Sequence, residues 1–476
     1  MTPTATVLRP RPALPSPGRA PEANRARSLA AWGLWLFTGA NAGAIVWLWL
    51  HGGGVTGVHG TADLLTSLGR ITGLLGAYLA LIQVLLLARL PPLERLVGFD
   101  RLAIWHRRNG KTCLLLLLAH TILITIGYAG TDKLSVPHEA SQLLDTYPGI
   151  LTATVGTGLL LVVVISSFVI ARRRLPYEAW YALHLTTYAG IALAWSHQIP
   201  TGNELSTSHA AQDYWYALYL GALALLVCFR FARPIGRGLR HRLRVLDVVP
   251  EGPNVVSVRL GGRRLDRLEA HGGQFFLWRF LTPGRWWQAH PFSLSAAPDG
   301  SSLRITVKGV GNFSRRLREL TPGTRVLAEG PFGRFTLAAR HRRRVLMIAG
   351  GIGITPIRAM LEELARAGEA ESPADGALPV LLYRVIHEQD LVFRAELDAL
   401  AEGHGVTVHY VVGDHRDLAG RELLSPQHLE GLVPDVAERD VYVCGPVQMM
   451  RAVHHSLRAC GVRRPQIHSE RFALAL

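Results

Sequence analysis

Cysteine is scarce in this chain, with four residues in 476: Cys113, Cys228, Cys444 and Cys460. Their spacing fits neither a disulfide framework nor a zinc or iron–sulfur ligand set. Acid is also in short supply, with 35 Asp and Glu against 51 Lys and Arg and a net charge of +16. The basic residues are dispersed in clusters between apolar runs rather than gathered on one patch, so no nucleic-acid partner is called for. No calcium-binding loop is present, which removes EF-hand control. Internal repeats are lacking too. The first residues have no apolar stretch followed by a cleavage site, and residues 1–29 read as a disordered cytoplasmic tail rather than a signal peptide.

What the chain has instead is apolar sequence concentrated in its first half. Six spans are predicted, at about 30–50, 67–88, 104–128, 149–171, 178–197 and 213–231, each long enough to cross a bilayer. Arg9, Arg11, Arg19, Arg25 and Arg27 precede the first span. Arg89, Arg95, Arg101, Arg107 and Arg108 lie between the second and third, and Arg172, Arg173 and Arg174 follow the fourth. The alternate loops hold almost no cations, Lys133 being the main exception. That asymmetry places the N-terminus in the cytoplasm, and six spans return the chain to the same side.

Arg230 to Arg244 reads as a basic, Gly-containing bridge near the membrane surface. Beyond it LRVLDVV, VVSVRL, QFFLWRF, SLRITVKG and TRVLAEG have the length of antiparallel strands separated by Pro and Gly turns, as in a small barrel. From Arg343 the rhythm becomes strand, Gly-rich turn, helix, strand, which implies a parallel sheet. The expected fold class is an all-α six-helix transmembrane bundle over 30–232, an antiparallel β-barrel over 240–338 and an α/β nucleotide-binding domain over 339–476.

An imidazole inside a bilayer is costly unless it has a partner. The predicted spans carry four: His106 and His120 on the third, His184 and His197 on the fifth. A haem iron takes two axial nitrogens from opposite sides, and two facing helices supply them. His106 and His120 are 14 residues apart, nearly four turns and about 21 Å of rise, so both rings leave one face at two depths. His184 and His197 are 13 apart, a poorer angular match that needs an irregularity near His197, just before Pro200. Depth pairs His106 with His184 at an inner site and His120 with His197 at an outer one. A single such histidine serves as readily in a helix–helix hydrogen bond; four in two matched pairs are harder to explain that way. Arg107, Arg108 and Lys111 could pair with inner propionates, although they also fit the ordinary positive-inside pattern. Arg70, at the outer end of the second span, runs against the charge rule and is the better candidate for an outer propionate or an anionic intermediate.

The second half carries ligand-binding loops. In His290-Pro291-Phe292-Ser293-Leu294-Ser295 an aromatic beside a hydroxyl suits an isoalloxazine ring, and His290 offers a donor to a pyrophosphate; the same residues would also serve a core strand. Lys308-Gly309-Val310-Gly311-Asn312-Phe313-Ser314 leads into a helical run, where backbone donors meet phosphates, or forms a simple capped loop. Gly350-Gly351-Ile352-Gly353-Ile354-Thr355-Pro356 follows the strand RVLMIAG, with Thr355 placed to cap the next helix and Pro356 at its first position. This is not the G-x-G-x-x-G fingerprint, but it still lets a dinucleotide approach a helix N-terminus. Cys444-Gly445-Pro446 closes another strand, where a ligand of an open α/β sheet is expected. Cys444 could line the nicotinamide approach or be buried filler. Arg384, after VLLY, offers a cation to a 2′-phosphate with no acid at the strand end for a ribose diol, which favours NADPH while leaving NADH possible.

Taken in order, HPFSLS, KGVGNFS, GPFG, GGIGITP and CGP resemble the flavin and nicotinamide module of the ferredoxin–NADP reductase family. His290 in place of that family's usual Arg, with the histidine spacings above, is similar to the NADPH oxidase and ferric reductase branch. The resemblance runs from about residue 30 to the C-terminus. It implies FAD, NADPH and two b-type haems, with hydride passing to the flavin and single electrons crossing the bilayer to a small-molecule acceptor. It also implies that Phe472 covers the flavin, although four residues follow it here. Dioxygen yielding superoxide is the first expectation and a ferric chelate the second. A haem-free anchor tethering a flavin reductase is a third reading. The lipid bilayer is the expected surrounding, and no obligatory protein partner is evident.

Overall fold

The computed structural model describes residues 20–168, 175, 177–368, 378–415 and 422–470. It divides into two compact units, one spanning Ser28–Phe231 and one built on Ala232–Leu476.

The first unit is helical. Its long helices are α1 (Ala20–His51), α2 (Thr61–Leu86), α3 (Phe99–Asp132), α4 (Ile150–Ser167), α5 (Tyr177–Trp195) and α6 (His209–Leu226). Five helical stretches among the described residues are long and apolar enough to cross a membrane: Leu29–His51, Thr61–Leu86, Arg101–Asp132, Ile150–Ser167 and His209–His241. α5 occupies the place of the expected fifth span but is not one of them, because Glu178, His184, two threonines and three tyrosines dilute its 19 residues. Large apolar side chains such as Leu36, Leu115, Leu151 and Leu220 stand exposed on these helices. That is the surface hydrocarbon would cover.

Small residues draw these helices together, as is usual where no water drives packing. A Cβ at Gly69 or Gly76 of α2 would press into Ile124 or Leu117 of α3, and one at Gly156 of α4 would meet the carbonyl of Gly190 on α5. Two features depart from expectation. Val136–Thr146 forms a helix in what reads as a plain loop, with Pro137 in its first turn where a missing N–H costs nothing. The basic bridge is also helical: α6 runs through a π-helical turn at Val227–Ala232 into α7 (Arg233–His241) despite Gly236 and Gly238.

The second unit begins with six strands: β1 (Arg244–Gly252), β2 (Val255–Gly261), β3 (Phe275–Phe280), β4 (His290–Ser293), β5 (Ser302–Lys308) and β6 (Val326–Phe332). They make two antiparallel three-stranded sheets, ordered β1-β2-β5 and β4-β3-β6. Isolated bridges join Leu294 to Ile305 and Arg244 to Arg325, so the sheets are stitched at two edges rather than laid down as one continuous ladder. Between them lie Val258, Leu260, Phe276, Trp278, Phe280, Leu294 and Ile305.

A parallel sheet follows, built from β7 (Val345–Gly350), β8 (Val380–Val385), β9 (Thr407–Val412), β10 (Asp440–Cys444) and β11 (Ile467–Glu470), in the order β11-β10-β7-β8-β9. Helices α8 (Ile354–Arg366), α9 (Arg394–His404) and α10 (Val447–Ala459) complete it. Met347 and Ala349 of β7 belong to the cluster under α8 and α9, whereas Leu346 and Ile348 belong to the one under α10. Both faces are therefore covered, which is why the strand shows no polar alternation. Sheet growth reverses between β7 and β10, and ligands of open α/β sheets bind outside the strand ends at such a switch point.

Candidate functional site

In the helical unit the four histidines meet in two pairs. His106 and His184 have ring centroids 6.0 Å apart, and His120 and His197 lie 6.2 Å apart. Two imidazoles that ligate one ion from opposite sides, with metal–nitrogen bonds of about 2 Å, bring their centroids to about 6 Å. Each pair therefore has the centroid separation that one bis-imidazole ion would require. The angular mismatch of the 13-residue spacing disappears because α5 ends at Trp195 and His197 sits in the turn beyond it, its carbonyl accepting from Thr201 N at 3.0 Å.

Hydrogen bonds orient one ring of each pair. His106 Nδ1 lies 3.1 Å from the Gln83 carbonyl, and His120 Nδ1 lies 2.8 Å from the Gly69 carbonyl. A proton on Nδ1 satisfies each carbonyl and leaves the Nε2 lone pair for a metal. His184 Nδ1 and His197 Nδ1 are both buried without a hydrogen-bond partner among the described residues. Gly73 makes room for the outer pair, since a Cβ there would lie 2.5 Å from His120 Nδ1.

Arg70, expected to wait for an anion, already has one. Its guanidinium is paired with Glu204, Nε to Oε1 at 2.8 Å, and donates to the Gly52 carbonyl at 2.7 Å. Arg107, Arg108 and Lys111 are exposed on α3.

In the second unit, β4 pairs with β3 so that His290 opposes Trp278, Pro291 opposes Leu277, Phe292 opposes Phe276 and Ser293 opposes Phe275. The His290 ring stacks on Phe313 with centroids 3.7 Å apart, bringing HPFS and the KGVGNFS loop together. Ser314 serves its own loop, accepting from Gly311 N at 2.9 Å. The helix there is a single turn, Asn312–Arg315, followed by a 3-10 turn, so it offers less of a dipole than the expected helical run. Lys308 lies beside Gly309 and pairs with Asp390 at 3.6 Å.

At the switch point the two glycine motifs touch. A Cβ on Gly353 would collide with the Cys444 carbonyl, and one on Gly350 would press on Met449 and Pro446. Gly351 has a φ of +53°, in the left-handed region that glycine tolerates. Gly445 lies against Gly350. Two expectations need correction. α8 starts at Ile354 with Gly353 as its N-cap, so Pro356 falls within its first turn rather than at its first residue. Thr355 does not cap the helix; its hydroxyl donates to the Ile352 carbonyl at 3.0 Å. Cys444 is fully buried in the core cluster, and burial raises its thiol pKa well above the ordinary value, so its sulfur does not line an open approach.

Arg384, the penultimate residue of β8, pairs with Gly350 and lies within the field of Asp414. Burial pulls its guanidinium down, partly countered by Asp414. An acid therefore does lie near this cation, contributed by the segment after β9 rather than by the strand read from sequence. Phe472 lies outside the described residues. Sequence reading missed Gly69, Gly73 and Gln83; two of these act through backbone carbonyls and one through a missing side chain, and none of that leaves a motif. It also missed Arg304, Arg358, Glu362 and Glu396, which link the two halves of this unit.

Comparison with known proteins gives three family matches. Residues 72–195 match "Ferric reductase like transmembrane component", 240–336 match "FAD-binding domain" and 347–455 match "Oxidoreductase NAD-binding domain". Ferredoxin–NADP reductase B of Sorangium cellulosum is 32% identical over 38% of this chain and 77% of its own length. The NADPH oxidoreductase of Mycobacterium tuberculosis is 30% identical over 51% of this chain and 63% of its own. Several other curated relatives are spanned over only half to two thirds of their length. Among solved structures, the FAD/NAD-binding domain of nitric oxide dioxygenase from Vibrio cholerae is 26% identical, with a TM-score of 0.40 over 48% of this chain and 98% of that one. The chain is an integral-membrane oxidoreductase, belonging to the ferric reductase and NADPH oxidase superfamily through a ferric-reductase-like transmembrane domain joined to a ferredoxin–NADP reductase-type FAD and NAD(P)H module.

Proposed function

We propose that this protein carries electrons from cytoplasmic NADPH through FAD and two b-type haems to an acceptor on the outer face, with dioxygen leaving as superoxide. The observation that supports this reading is the pair of histidine couples at centroid distances of 6.0 and 6.2 Å. When bound, the nicotinamide supplies a hydride, the flavin divides it into single electrons and the haems relay them.

The residues of the chain bind and orient these groups. His106 and His184 hold the inner iron, and His120 and His197 the outer one, with Gln83 and Gly69 fixing the tautomer of one ligand in each pair. His290, Pro291, Phe292 and Ser293 line the flavin together with Phe313, while Lys308, Gly309 and Ser314 shape the adjoining loop. Gly350, Gly351, Gly353, Gly445 and Pro446 leave backbone space for the dinucleotide at the switch point, with Thr355 and Pro356 in the first turn of α8. Arg384 faces the 2′-phosphate, NADH being the weaker substrate. The flavin and nucleotide domains and the N-terminus lie in the cytoplasm, following the cation asymmetry of the loops.

A second reading has an observation of its own. The model matching residues 72–195 is described as ferric reductase-like, which favours chelated iron as the acceptor. Purified protein is expected to contain two six-coordinate b-type haems per chain and, with NADPH in air, to reduce cytochrome c in a manner that superoxide dismutase abolishes. Ferric-chelate reduction without oxygen and no dismutase-sensitive signal would transfer the assignment to the ferric reductase. Fewer than two haems would remove it altogether. Gly73→Val puts a branched side chain into the His120 ring. It is expected to lose the outer haem while keeping the inner one, and two intact haems in that variant would mean that Gly73 does not seat His120.

A further inference from the structure

Helix α8 starts at the GGIG turn, and its flank is bonded to the segment that leaves β4. Arg358 donates to the Ser295 carbonyl at 3.1 Å and to Glu362 at 2.5 Å. Glu362 accepts from Ala297 N at 2.8 Å and from Arg366 at 2.6 Å, and Arg366 reaches the Ala297 carbonyl at 3.1 Å. From the other side Arg304 of β5 holds Glu396 of α9 through two bonds of 2.8 and 2.9 Å and also touches the Ser295 carbonyl at 3.1 Å. Arg358 meets the same Glu396 at 2.6 Å. The Arg304 and Arg358 guanidinium carbons lie 4.8 and 5.9 Å from the ring centre of Phe393, a buried residue held at a φ of +65°. One turn farther along α8, Glu363 accepts from Gly272 N at 2.9 Å and lies 2.8 Å from His271 Nδ1.

The charged groups of this linkage are largely buried. Arg358 is 9% exposed and Glu363 8% exposed, and such buried charges persist because partners face them, carboxylates at Arg358 and His271 at Glu363. Planar guanidinium forks also fix orientation, which a flexible ammonium does not. Four of these bonds reach Ser295 or Ala297, two to four residues past Ser293, and three of the four come from the helix whose N-terminus is the nucleotide turn. A single rigid element of 13 residues, about 20 Å long, therefore spans from one binding loop to the exit of the other.

We propose that Arg304, Arg358, Glu362 and Glu396 are positioning residues that set the approach of the nicotinamide to the flavin, a role that rests on the NADPH-to-FAD reading above. They touch neither ligand loop's reacting atoms. They act by fixing Ser295 and α8 relative to each other, because a displacement of about 1 Å in a reacting pair costs about 100-fold in rate.

The test uses the full chain in detergent or nanodiscs. Glu362→Gln and Glu396→Gln keep the shape of each side chain and remove its charge. At saturating NADPH, the limiting rate of flavin bleaching is expected to fall at least tenfold in each, with FAD content unchanged and the NADP+ dissociation constant within threefold of wild type. Glu396→Asp, which restores the charge, is expected to recover a large part of the rate. Hydrogen exchange at the Ala297 amide is expected to quicken tenfold or more in Glu362→Gln. An unchanged limiting rate, or a fall that merely follows lost FAD or weaker nucleotide binding, overturns the proposal. If NADPH fails to bleach the wild-type flavin, the functional reading fails by itself. Hydrogen exchange then decides the linkage, with unchanged exchange at Ala297 in Glu362→Gln counting against it.

Discussion

Replacing His120 or His197 by alanine is expected to stop electron delivery to the outer face, by more than about 100-fold, while NADPH still bleaches the flavin at the wild-type rate. Removing groups that only support a metal ligand already costs about 10–100-fold, so loss of the ligand itself should exceed that. The second pair, His106 and His184, lies 14 and 13 residues away along the same chain segments and keeps its own partners. One haem should therefore remain, with a spectrum that is still bis-imidazole. The measurement is haem content beside stopped-flow reduction of flavin and haem. A variant that loses both cofactors, or one that still reduces an outer acceptor at wild-type speed, would dismiss the assigned order.

A comparable loss, in stability rather than rate, is expected from Glu204→Ala. The Glu204 carboxylate is 3% exposed in its side chain and Arg70 is 19% exposed, so removing the acid leaves a largely buried guanidinium with only the Gly52 carbonyl. Breaking one side of such a pair costs about 3–5 kcal/mol. For a unit of about 200 residues that corresponds to a fall in Tm on the order of 10 °C. The double variant Arg70→Met, Glu204→Leu should recover most of it, because an apolar pair of similar volume carries no stranded charge. Thermal unfolding in detergent, followed by tryptophan fluorescence, reads both; a Glu204→Ala midpoint within about a degree of wild type would show that Arg70 is solvated there.

The linkage in the second unit adds a dependence on pH. Burial works to raise the Glu396 carboxyl, but hydrogen bonds from Arg304 and the charges of Arg358 and Arg304 outweigh it and hold the pKa below the usual value. A depressed carboxylate contributes stability in full above the unfolded value of about 4.3, and that contribution is lost as pH falls through the folded value. At neutral pH the contribution is complete.

Much of this was legible in the sequence for identifiable reasons. The pairing of His106 with His184 and of His120 with His197 follows from helical rise, and the break at His197 follows from a spacing that an ideal helix does not satisfy. The strands of the second unit show because apolar runs of the right length are punctuated by Gly and Pro. That GGIG and CGP each close a strand follows from an apolar run ending in a glycine turn; that the two meet is set by the strand order. What escaped has a common physical cause. Arg304 and Glu396 are 92 positions apart, and an ion pair across that separation leaves no periodic trace. Arg70 was misread as waiting for a ligand because its partner lies 134 positions away, on a short helix with no motif. The cap lies two positions before Thr355, at Gly353, since a glycine can end the preceding turn as well as a hydroxyl can.

The packing of α2 against α3 has a consequence for where the outer site would be adjusted. The second helix contributes no imidazole, yet its Gly69 carbonyl holds the proton of His120 and its Gly73 leaves the ring its space. Electron density on that imidazole, and with it the potential of any metal it ligates, is governed by a neighbour that never contacts the ion. Changes that tilt the Gly69 carbonyl without filling the space at Gly73 should therefore shift a midpoint potential while leaving every ligand in place.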